Sequence, residues 1–304
     1  MFIIPDSFKQ FTEVIHAKDG LAWLARLPDI LAICEQRWHL KLDKPFTNLS
    51  YHYAAPAVRN DGAHVVVKVF SPTGEFALQT EALRLFAGRG SVRLLDDDLD
   101  NEVQLLEQLE PGTLLSTLQN DEQAISIAAS VMRQLWHPAP SNSAFPSVLT
   151  WGTGLVRLRR YYNGGTGPFP IRLVEEAETL FAELSTSMAE PVLLHGDFHQ
   201  DNVLLNGSDS WLAIDPKGLI GEPAYEVGPI LHNPLPQLLL EPQPGRILAW
   251  RVDQLSEELG FERARVRGWG VYQAVLSAWW NMEDMGQFWD EALQCAELLA
   301  AIKI

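Results

Sequence analysis

Between residues 46 and 110, apolar positions alternate with polar ones or form short runs, which is the pattern of β-strands. The Asn-Asp-Gly sequence at 60–62 is typical of a hairpin turn between two such strands. An acidic segment at 96–101 predicts a second, solvated turn. The predicted elements are strands at 49–55, 63–70, 92–95 and 102–107, with a helix at 74–87. The pattern therefore indicates a small antiparallel sheet with one helix.

The rest of the chain mostly repeats its apolar residues every three or four positions, as helices facing a core do. Near the N-terminus, one predicted apolar face contains Leu21, Leu24, Leu27, Leu31 and Trp38. Later helices are predicted at 121–136, 171–188, 252–259 and 265–299. The sequence thus predicts an α+β fold with two domains, a sheet-containing one over residues 1–110, helical over 1–45, and a mainly helical one over residues 111–304.

Residues 195–202, His-Gly-Asp-Phe-His-Gln-Asp-Asn, lie between apolar segments that predict short strands, and a third such segment ends just before Asp215. Phosphoryl transfer from Mg-ATP requires a carboxylate that orients the attacking hydroxyl and oxygen ligands that hold the metal. Asp197 suits the first role, while Asn202 and Asp215 suit the second. The alternative is a polar turn between buried strands, which a single His-x-Asp triplet would favour.

The segments 195–204 and 215–226, the second beginning Asp-Pro-Lys-Gly, resemble those of the aminoglycoside phosphotransferases, more narrowly the streptomycin 6-kinase and hydroxyurea-resistance branch. The resemblance covers about residues 46–290. It implies a bilobal protein-kinase-like fold, in which an N-terminal lobe binds ATP and a helical C-terminal lobe carries the catalytic loop. It also implies phosphotransfer to a hydroxyl of a small molecule, whereas the residues alone indicate a nucleotide-dependent phosphotransferase.

Lys68 lies inside an otherwise apolar predicted strand, where a charge requires a negative partner. In kinases such a lysine contacts the α- and β-phosphates of ATP and is oriented by a glutamate on a helix. Glu81 is the expected partner, and the resemblance indicates the same position. Glu75, at the start of the predicted helix, is the second candidate. The structural alternative is an edge-strand lysine that discourages aggregation.

Three further residues complete the expected ATP site. Residues 106–112 resemble a hinge between the lobes, and we expect adenine to contact the carbonyl of Glu107 and the amide of Leu109. The resemblance places the strand pair that contains Ser50 over the phosphates, so that the Ser50 hydroxyl would donate a hydrogen bond to them.

Four neighbours of the motif have predicted roles, and two of them, His199 and Lys217, are open to two interpretations. His199 is either a general base or a loop histidine that bridges backbone groups, and the second is favoured because Asp197 already fills the first role. His195 is expected to anchor the loop. Lys217 would either neutralise phosphate charge or pair with an acid such as Glu222 or Glu226, and Glu226 is expected to brace the catalytic loop.

The composition fits a globular enzyme of 304 residues, with 47% hydrophobic and 20% charged residues. The N-terminal segment lacks the pattern of a signal peptide and the two cysteines lie far apart, so a cytoplasmic location is expected. The net charge of −16 argues against nucleic acid or an anionic membrane as a partner and favours a small cationic substrate.

An aminoglycoside is such a cation, and carboxylates with aromatic faces would bind it. Trp280, Glu283 and Asp284 are the candidate substrate residues, although a core tryptophan and a solvated helix face are the alternatives. The predicted function is ATP- and Mg²⁺-dependent phosphorylation of an aminoglycoside hydroxyl, with streptomycin first. A kinase for another small hydroxyl compound, such as hydroxyurea, a sugar amine or a metabolite, and a nucleotide-binding pseudokinase that regulates a partner are the two alternatives.

Overall fold

A computed structural model describes residues 2–140 and 143–304 of the chain. The chain forms two compact units, residues 1–112 and residues 113–304, which are called the sheet unit and the helical unit below. The boundary falls after Gly112, whereas the sequence predicts it after residue 110. Within the described residues, no helix combines the length and the apolar character that a membrane span requires.

The sheet unit contains one five-stranded antiparallel sheet in the order β1-β2-β3-β5-β4. Four of these strands and the second helix overlap the predicted elements, although β2 begins four residues later and β4 two residues later than predicted. Strand β1 is short and was not predicted. The elements are α1 (Asp6–Arg37), β1 (Leu40–Leu42), β2 (Tyr53–Arg59), β3 (His64–Val69), α2 (Phe76–Phe86), β4 (Leu94–Asp98) and β5 (Val103–Glu107). The predicted turn joins β2 to β3, with Gly62 at a φ of 85°.

The long helix α1 and one face of this sheet share a core. Trp23, Leu27 and Leu31 are buried at a spacing of four residues and therefore lie on one helix face. Leu21, predicted on the same face, is 49% exposed because it lies two residues, or about 200°, from Trp23 around the helix. The prediction that Leu21 lies on the buried face of α1 is thus wrong.

Helix α1 bends at Ala17, whose φ of 46° and ψ of −123° are not helical. Gly20 lies where the two helical segments approach each other. A Cβ at this position would lie 2.6 Å from the carbonyl oxygen of Thr12 and 2.9 Å from the Cβ of His16. Only glycine fits this approach, so the bend and the position of His16 depend on it.

The acidic segment before β5 is not the fully solvated turn that its composition predicts. Asp98 is 4% exposed and ends strand β4. Its carboxylate accepts hydrogen bonds from the backbone N–H groups of Asp100 and Asn101 and lies 3.7 Å from the Arg37 guanidinium of α1. Asp98 therefore closes the turn by local hydrogen bonds rather than through hydration.

The helical unit contains a two-stranded antiparallel sheet, β10-β7, and a three-stranded sheet in the order β6-β8-β9. Strand β6 begins before the boundary of the unit. The elements of the helical unit are β6 (Pro111–Leu114), α3 (Asp121–Leu135), α4 (Val148–Tyr161), α5 (Ile171–Thr186), β7 (Val192–Leu194), β8 (Val203–Asn206), β9 (Ser210–Ala213), β10 (Leu219–Gly221), α6 (Val227–His232), α7 (Gln237–Leu240), α8 (Pro244–Leu259), α9 (Arg263–Met285) and α10 (Asp290–Ala300).

Several helices differ from the sequence prediction, and α8, for example, begins at Pro244 rather than at residue 252. The predicted segment 265–299 is divided into α9 and α10, because Gly286 adopts a φ of 64° and ends α9. Helix α4 was not predicted, since Gly152 and Gly154 lower its intrinsic propensity. A Cβ at Gly152 would lie 1.9 Å from the Phe181 ring, so this glycine permits close packing of α4 on α5.

Candidate phosphotransfer site

The catalytic loop of residues 195–202 connects β7 to β8, and the β8–β9 hairpin returns the chain beside it. The backbone N–H of Ile214 donates to the carbonyl of Asn202 over 2.9 Å, which brings the segment before Asp215 to the end of the loop. The Asn202 side-chain amide donates to the carbonyl of Asp197 over 2.9 Å. The structure therefore brings Asp197, Asn202 and Asp215 together, as the motif predicts.

His195 is fully buried and organises the start of the loop. Its Nδ1 accepts from the N–H of Asp197 over 3.2 Å, while its Nε2 lies 2.7 Å from the carbonyl of Ile214. These partners require a neutral ring that carries its proton on Nε2. Burial favours the same form, since it lowers the pKa of His195 to about 4. His195 thus anchors the start of the loop.

The carboxylate of Glu226 is the second anchor. It is 1% exposed, and it accepts from the N–H of His195 over 2.6 Å and from the N–H of Gly196 over 2.9 Å. Burial raises the pKa of Glu226 to about 7, against the opposite effect of these two hydrogen bonds. Glu226 therefore holds the backbone of the loop directly, in the bracing role expected for it.

The side chain of Asp197 is 43% exposed and lies 3.9 Å from Nε2 of His199. Nδ1 of His199 accepts from the N–H of Asp201 over 3.2 Å, so a neutral ring carries its proton on Nε2. The imidazole then has no free lone pair towards Asp197. This geometry favours the backbone-bridging interpretation of His199 and leaves Asp197 as the candidate base.

Asp215 has a φ of 59°, the left-handed conformation that residues other than glycine adopt at a cost of roughly 1–2 kcal/mol. Such strain is concentrated at functional sites. The Asn202 amide nitrogen donates to the protein, so its oxygen is the atom left for a ligand. An amide oxygen and a carboxylate are the donors that Mg²⁺ prefers, and the pair fits a metal that takes its remaining ligands from phosphates and water.

The expected nucleotide residues lie in the sheet unit, with Lys68 on β3 at 4% exposure. Its ammonium donates to the side-chain oxygen of Gln79 over 3.1 Å and lies 4.6 Å from the centre of the Phe70 ring. The amide nitrogen of Gln79 in turn donates to the carboxylate of Glu75 over 3.1 Å. Gln79 and Glu75 are four residues apart and therefore face the same side of α2.

The expected pairing of Lys68 with Glu81 is wrong. The side chain of Glu81 is 51% exposed, and Arg84 lies 3.5 Å from its carboxylate. Glu81 follows Gln79 by two residues, which places it about 200° around the helix. The second candidate, Glu75, is the acid on the correct face, and Gln79 was not identified from the sequence because an amide carries no charge signal.

The other three predicted ATP residues have ordinary structural surroundings. Ser50 is exposed and precedes β2, which begins at Tyr53. Glu107 ends β5, and its carboxylate accepts from the backbone N–H and the Nε of Arg93, each over 2.8 Å. Leu109 is buried at 8% exposure. Their contacts with ATP stay predictions.

On the acceptor side, Trp280 of α9 packs edge-on against Trp151 of α4, with the ring centres 5.2 Å apart. Trp151 lies against the catalytic loop, since a Cβ at Gly196 would be 3.3 Å from its ring. The two indoles therefore form an aromatic wall beside the loop, with Trp151 between the loop and Trp280. Trp151 was missed because its helix was not predicted.

The two predicted acids on α9 differ in their surroundings. Glu283 accepts from the guanidinium of Arg157 over 2.7 and 2.8 Å, so its charge is already balanced within the protein. Asp284 is exposed. Of the two acids proposed for Lys217, Glu222 binds Arg265 over 2.8 Å and Glu226 binds the loop amides. Both roles given for Lys217 stay predictions.

The aminoglycoside/hydroxyurea antibiotic resistance kinase family model matches residues 37–285. The chain is 31% identical to the streptomycin 6-kinase of Streptomyces glaucescens over 92% of this chain and 91% of the relative. It is 32% identical to the hydroxyurea phosphotransferase of Kitasatospora aureofaciens over 87% and 76%.

Among solved structures, the chain resembles a thermostable mutant of the aminoglycoside phosphotransferase APH(4)-Ia in ternary complex with ADP and hygromycin B. The TM-score is 0.61 at 15% identity, over 89% of this chain and 96% of that chain. The predicted kinase-like α+β fold is confirmed, and the curated relatives are small-molecule kinases. The chain belongs to the aminoglycoside/hydroxyurea antibiotic resistance kinase family.

Proposed function

We propose that this kinase transfers the γ-phosphate of ATP, with Mg²⁺, to a hydroxyl group of an aminoglycoside, and that streptomycin is the first candidate acceptor. The observation that carries the proposal is the convergence of Asp197, Asn202 and Asp215 on a loop whose backbone is fixed by His195 and Glu226. A carboxylate and two oxygen ligands in fixed positions are what phosphoryl transfer requires.

In this proposal Asp197 accepts a hydrogen bond from the acceptor hydroxyl and orients its oxygen towards the γ-phosphate. The transition state of phosphoryl transfer is loose, so positioning contributes more than basicity. The half-exposed Asp197 carboxylate suits this role, since a substrate can reach it. His195 and Glu226 contribute by holding the backbone N–H groups of residues 195–197 against displacement.

The Asn202 oxygen and the Asp215 carboxylate would hold the metal. When bound, Mg²⁺ would supply positive charge that neutralises the phosphates. Lys68 would bind the α- and β-phosphates, with its ammonium positioned by Gln79. The structure with ADP and hygromycin B has the same fold, which supports a nucleotide as the phosphate donor.

The acceptor assignment rests on the chemistry of the helical unit and on the relatives' substrates. Streptomycin is cationic, and the chain carries a net charge of −16. The wall formed by Trp151 and Trp280 offers aromatic groups to a cation beside the catalytic loop. Hydroxyurea is the second candidate, because the hydroxyurea phosphotransferase is as similar in sequence as the streptomycin 6-kinase.

The test is release of ADP from Mg-ATP with streptomycin, with hydroxyurea and without acceptor, compared between the wild type and Asp197→Ala. We expect streptomycin-dependent release that falls by about 10²–10⁴-fold in the variant, the usual contribution of a positioned acid or base. Binding of Mg-ATP should be retained. Asp209→Ala is the matched control, since Asp209 is an exposed acid in the turn between β8 and β9. Near-native turnover by Asp197→Ala would refute the catalytic assignment.

A further inference from the structure

Gln200 is a buried side chain of the catalytic loop that the phosphotransfer chemistry does not use. It is 2% exposed and begins the 3₁₀ turn of residues 200–202, which ends at the candidate metal ligand Asn202. The backbone N–H of Asn202 donates to the carbonyl of His199 over 2.9 Å, so Asn202 is part of this turn through its backbone as well. Contacts that fix Gln200 therefore also fix the part of the loop that would hold the metal.

The amide of Gln200 attaches the loop to the end of helix α6. Its Nε2 donates to the carbonyls of Ile230 and Asn233 over 3.1 and 2.7 Å. Carbonyls at the C-terminal end of a helix have no partner within the helix and must find one elsewhere. In the described part of the chain, the buried Oε1 of Gln200 has no partner. An unpaired buried acceptor is costly, so the two donated hydrogen bonds are what this glutamine provides.

Arg251 of α8 binds the same end of α6. It is 3% exposed, and its Nη1 donates to the carbonyls of Ile230, Leu231 and Asn233 over 3.2, 2.7 and 2.6 Å. A carbonyl oxygen has two lone pairs, so two of these carbonyls can accept from Gln200 and from Arg251 at once. The helix dipole favours a cation at this end of the helix. Gln200 and Arg251 are thus joined through two shared acceptors.

Asp121, the first residue of α3, orients the guanidinium of Arg251. The Nε and Nη2 atoms of Arg251 donate to its carboxylate over 3.0 and 2.6 Å. Such a two-point pairing fixes the plane of the guanidinium, and Nη1 is left to bind the carbonyls. The Asp121 side chain is 44% exposed, so the pair extends from solvent to the buried end of α6.

The segment 226–233 contacts both ends of the catalytic loop. At its start, Glu226 accepts from the N–H groups of His195 and Gly196. At its end, the carbonyls of residues 230 and 233 accept from Gln200. Helix α6 connects these two sets of contacts, and a rigid element transmits a displacement of one end to the other. The position of the loop therefore depends on how the C-terminal end of α6 is held.

We propose that Arg251 is a positioning residue for the candidate metal ligand Asn202, and that it acts through the C-terminal carbonyls of α6 and through Gln200. Without the guanidinium, these carbonyls and the turn of residues 200–202 could shift, and the metal would lose a ligand in a fixed position. This inference rests on the proposed function, which gives Asn202 a metal to bind. It adds a support for the loop at the end away from Glu226.

The test measures the affinity for ATP by calorimetric titration, once with Mg²⁺ and once with EDTA, so that no acceptor is needed. Gln200→Met keeps the length of the side chain and removes both donors. It should weaken binding of Mg-ATP about tenfold, as the loss of a partner that orients a metal ligand does, and leave binding of metal-free ATP unchanged. Arg251→Met should have the same effect, whereas a merely structural role would weaken both titrations.

The double variant tests whether the two residues act in series. If Arg251 acts through Gln200, the double variant should lose about as much Mg-ATP affinity as Arg251→Met alone, rather than the product of the two losses. Gln200→Met should change the midpoint of thermal unfolding by less than about 3 °C, since it also removes the unpaired oxygen. It keeps the test decisive even where Arg251→Met fails to fold.

Arg265→Met is the matched control. The guanidinium of Arg265 also pairs with an acid, Glu222 over 2.8 Å, and also donates to carbonyls at a helix end, those of Leu184 and Ser187 over 3.0 and 2.9 Å. These carbonyls lie at the end of α5 rather than α6. Arg265→Met should therefore lower the midpoint of thermal unfolding and leave the Mg-ATP affinity unchanged.

Three results would overturn the inference while the kinase assignment stands. They are wild-type affinity for Mg-ATP in Gln200→Met, an equal loss in Arg265→Met and Arg251→Met, and losses that multiply in the double variant. A wild type that binds no ATP, with or without Mg²⁺, would overturn both the inference and the proposed function.

Discussion

In the helical unit the functional loop is held through its backbone, whereas in the sheet unit the functional lysine is held through side chains. Buried Glu226 accepts from the N–H groups of His195 and Gly196, and the buried ring of His195 accepts from the N–H of Asp197. Lys68 instead contacts Gln79, which contacts Glu75. Hydrogen bonds to the backbone hold the loop in place whichever side chains it carries. The position of Lys68 instead depends on each side chain in the series, so a change in any one of them affects it.

The anchoring of the loop gives the largest expected effect on stability. Glu226→Ala would leave two buried N–H groups without an acceptor, at about 1–3 kcal/mol each, so the free energy of unfolding should fall by roughly 3–5 kcal/mol. Glu226→Gln retains one acceptor oxygen and should lose about half as much. Denaturant unfolding at neutral pH measures both. If both variants were as stable as the wild type, the loop would be held by other contacts.

Acid should weaken the helical unit through two buried histidines. Burial lowers the pKa of His195 and of His232 from 6.5 to about 4. The folded chain keeps both rings neutral, while the unfolded chain takes up protons below pH 6.5, so their contribution to stability is present above pH 6.5 and lost as the pH falls towards 4. Each group should contribute a slope of up to about 1.4 kcal/mol per pH unit in this range.

His232→Gln isolates one of these groups, because Glu226, whose pKa of about 7 acts in the opposite direction, is present in both proteins. The difference in unfolding free energy between wild type and variant should change by roughly 2 kcal/mol between pH 6.5 and pH 5. Denaturant unfolding at several pH values gives this difference. A difference that stays constant with pH would show that His232 is protonated equally in both states.

In the sheet unit, we expect substitution of Lys68 to change the affinity for Mg-ATP more than the stability. Lys68→Met keeps the buried apolar stem and removes the ammonium, so Mg-ATP affinity should fall about 10- to 100-fold while the free energy of unfolding changes by less than about 1 kcal/mol. Lys41→Met is the control, because Lys41 lies in the same sheet with an 82% exposed side chain. A loss of stability without a loss of affinity would make Lys68 a structural residue.

The smallest effect is expected at the ion pair between Arg157 and Glu283. Arg157→Ala removes the cation that balances Glu283, and an exposed pair of this kind contributes about 0–1 kcal/mol to stability. If Glu283 lies in the acceptor site, its released charge should lower the KM for streptomycin about two- to threefold. Arg159→Ala breaks a similar pair with Glu178 and serves as the control. An unchanged KM would place Glu283 outside the acceptor site.

Local sequence was sufficient to predict the loop of residues 195–202. Asp197 and Asn202 are five residues apart in one loop, so their proximity follows from chain connectivity, and the β8–β9 hairpin adds Asp215. Strand pairs and most helices were predicted for the same reason, because periodicity reports the side of an element that is buried. Helix α4 was not predicted in this way, because its glycines permit close contacts with other helices and do not follow the periodicity of its buried side.

Residue chemistry and spacing determined the reaction class and the candidates for the catalytic aspartate and the two metal ligands, because these groups lie within a short length of chain. The tertiary structure decided which charges face one another. The phase of α2 selects Glu75 over Glu81, and Arg157, distant in sequence, balances Glu283. Such pairings depend on angles around a helix and on packing between elements, and neither is encoded by the residue types alone.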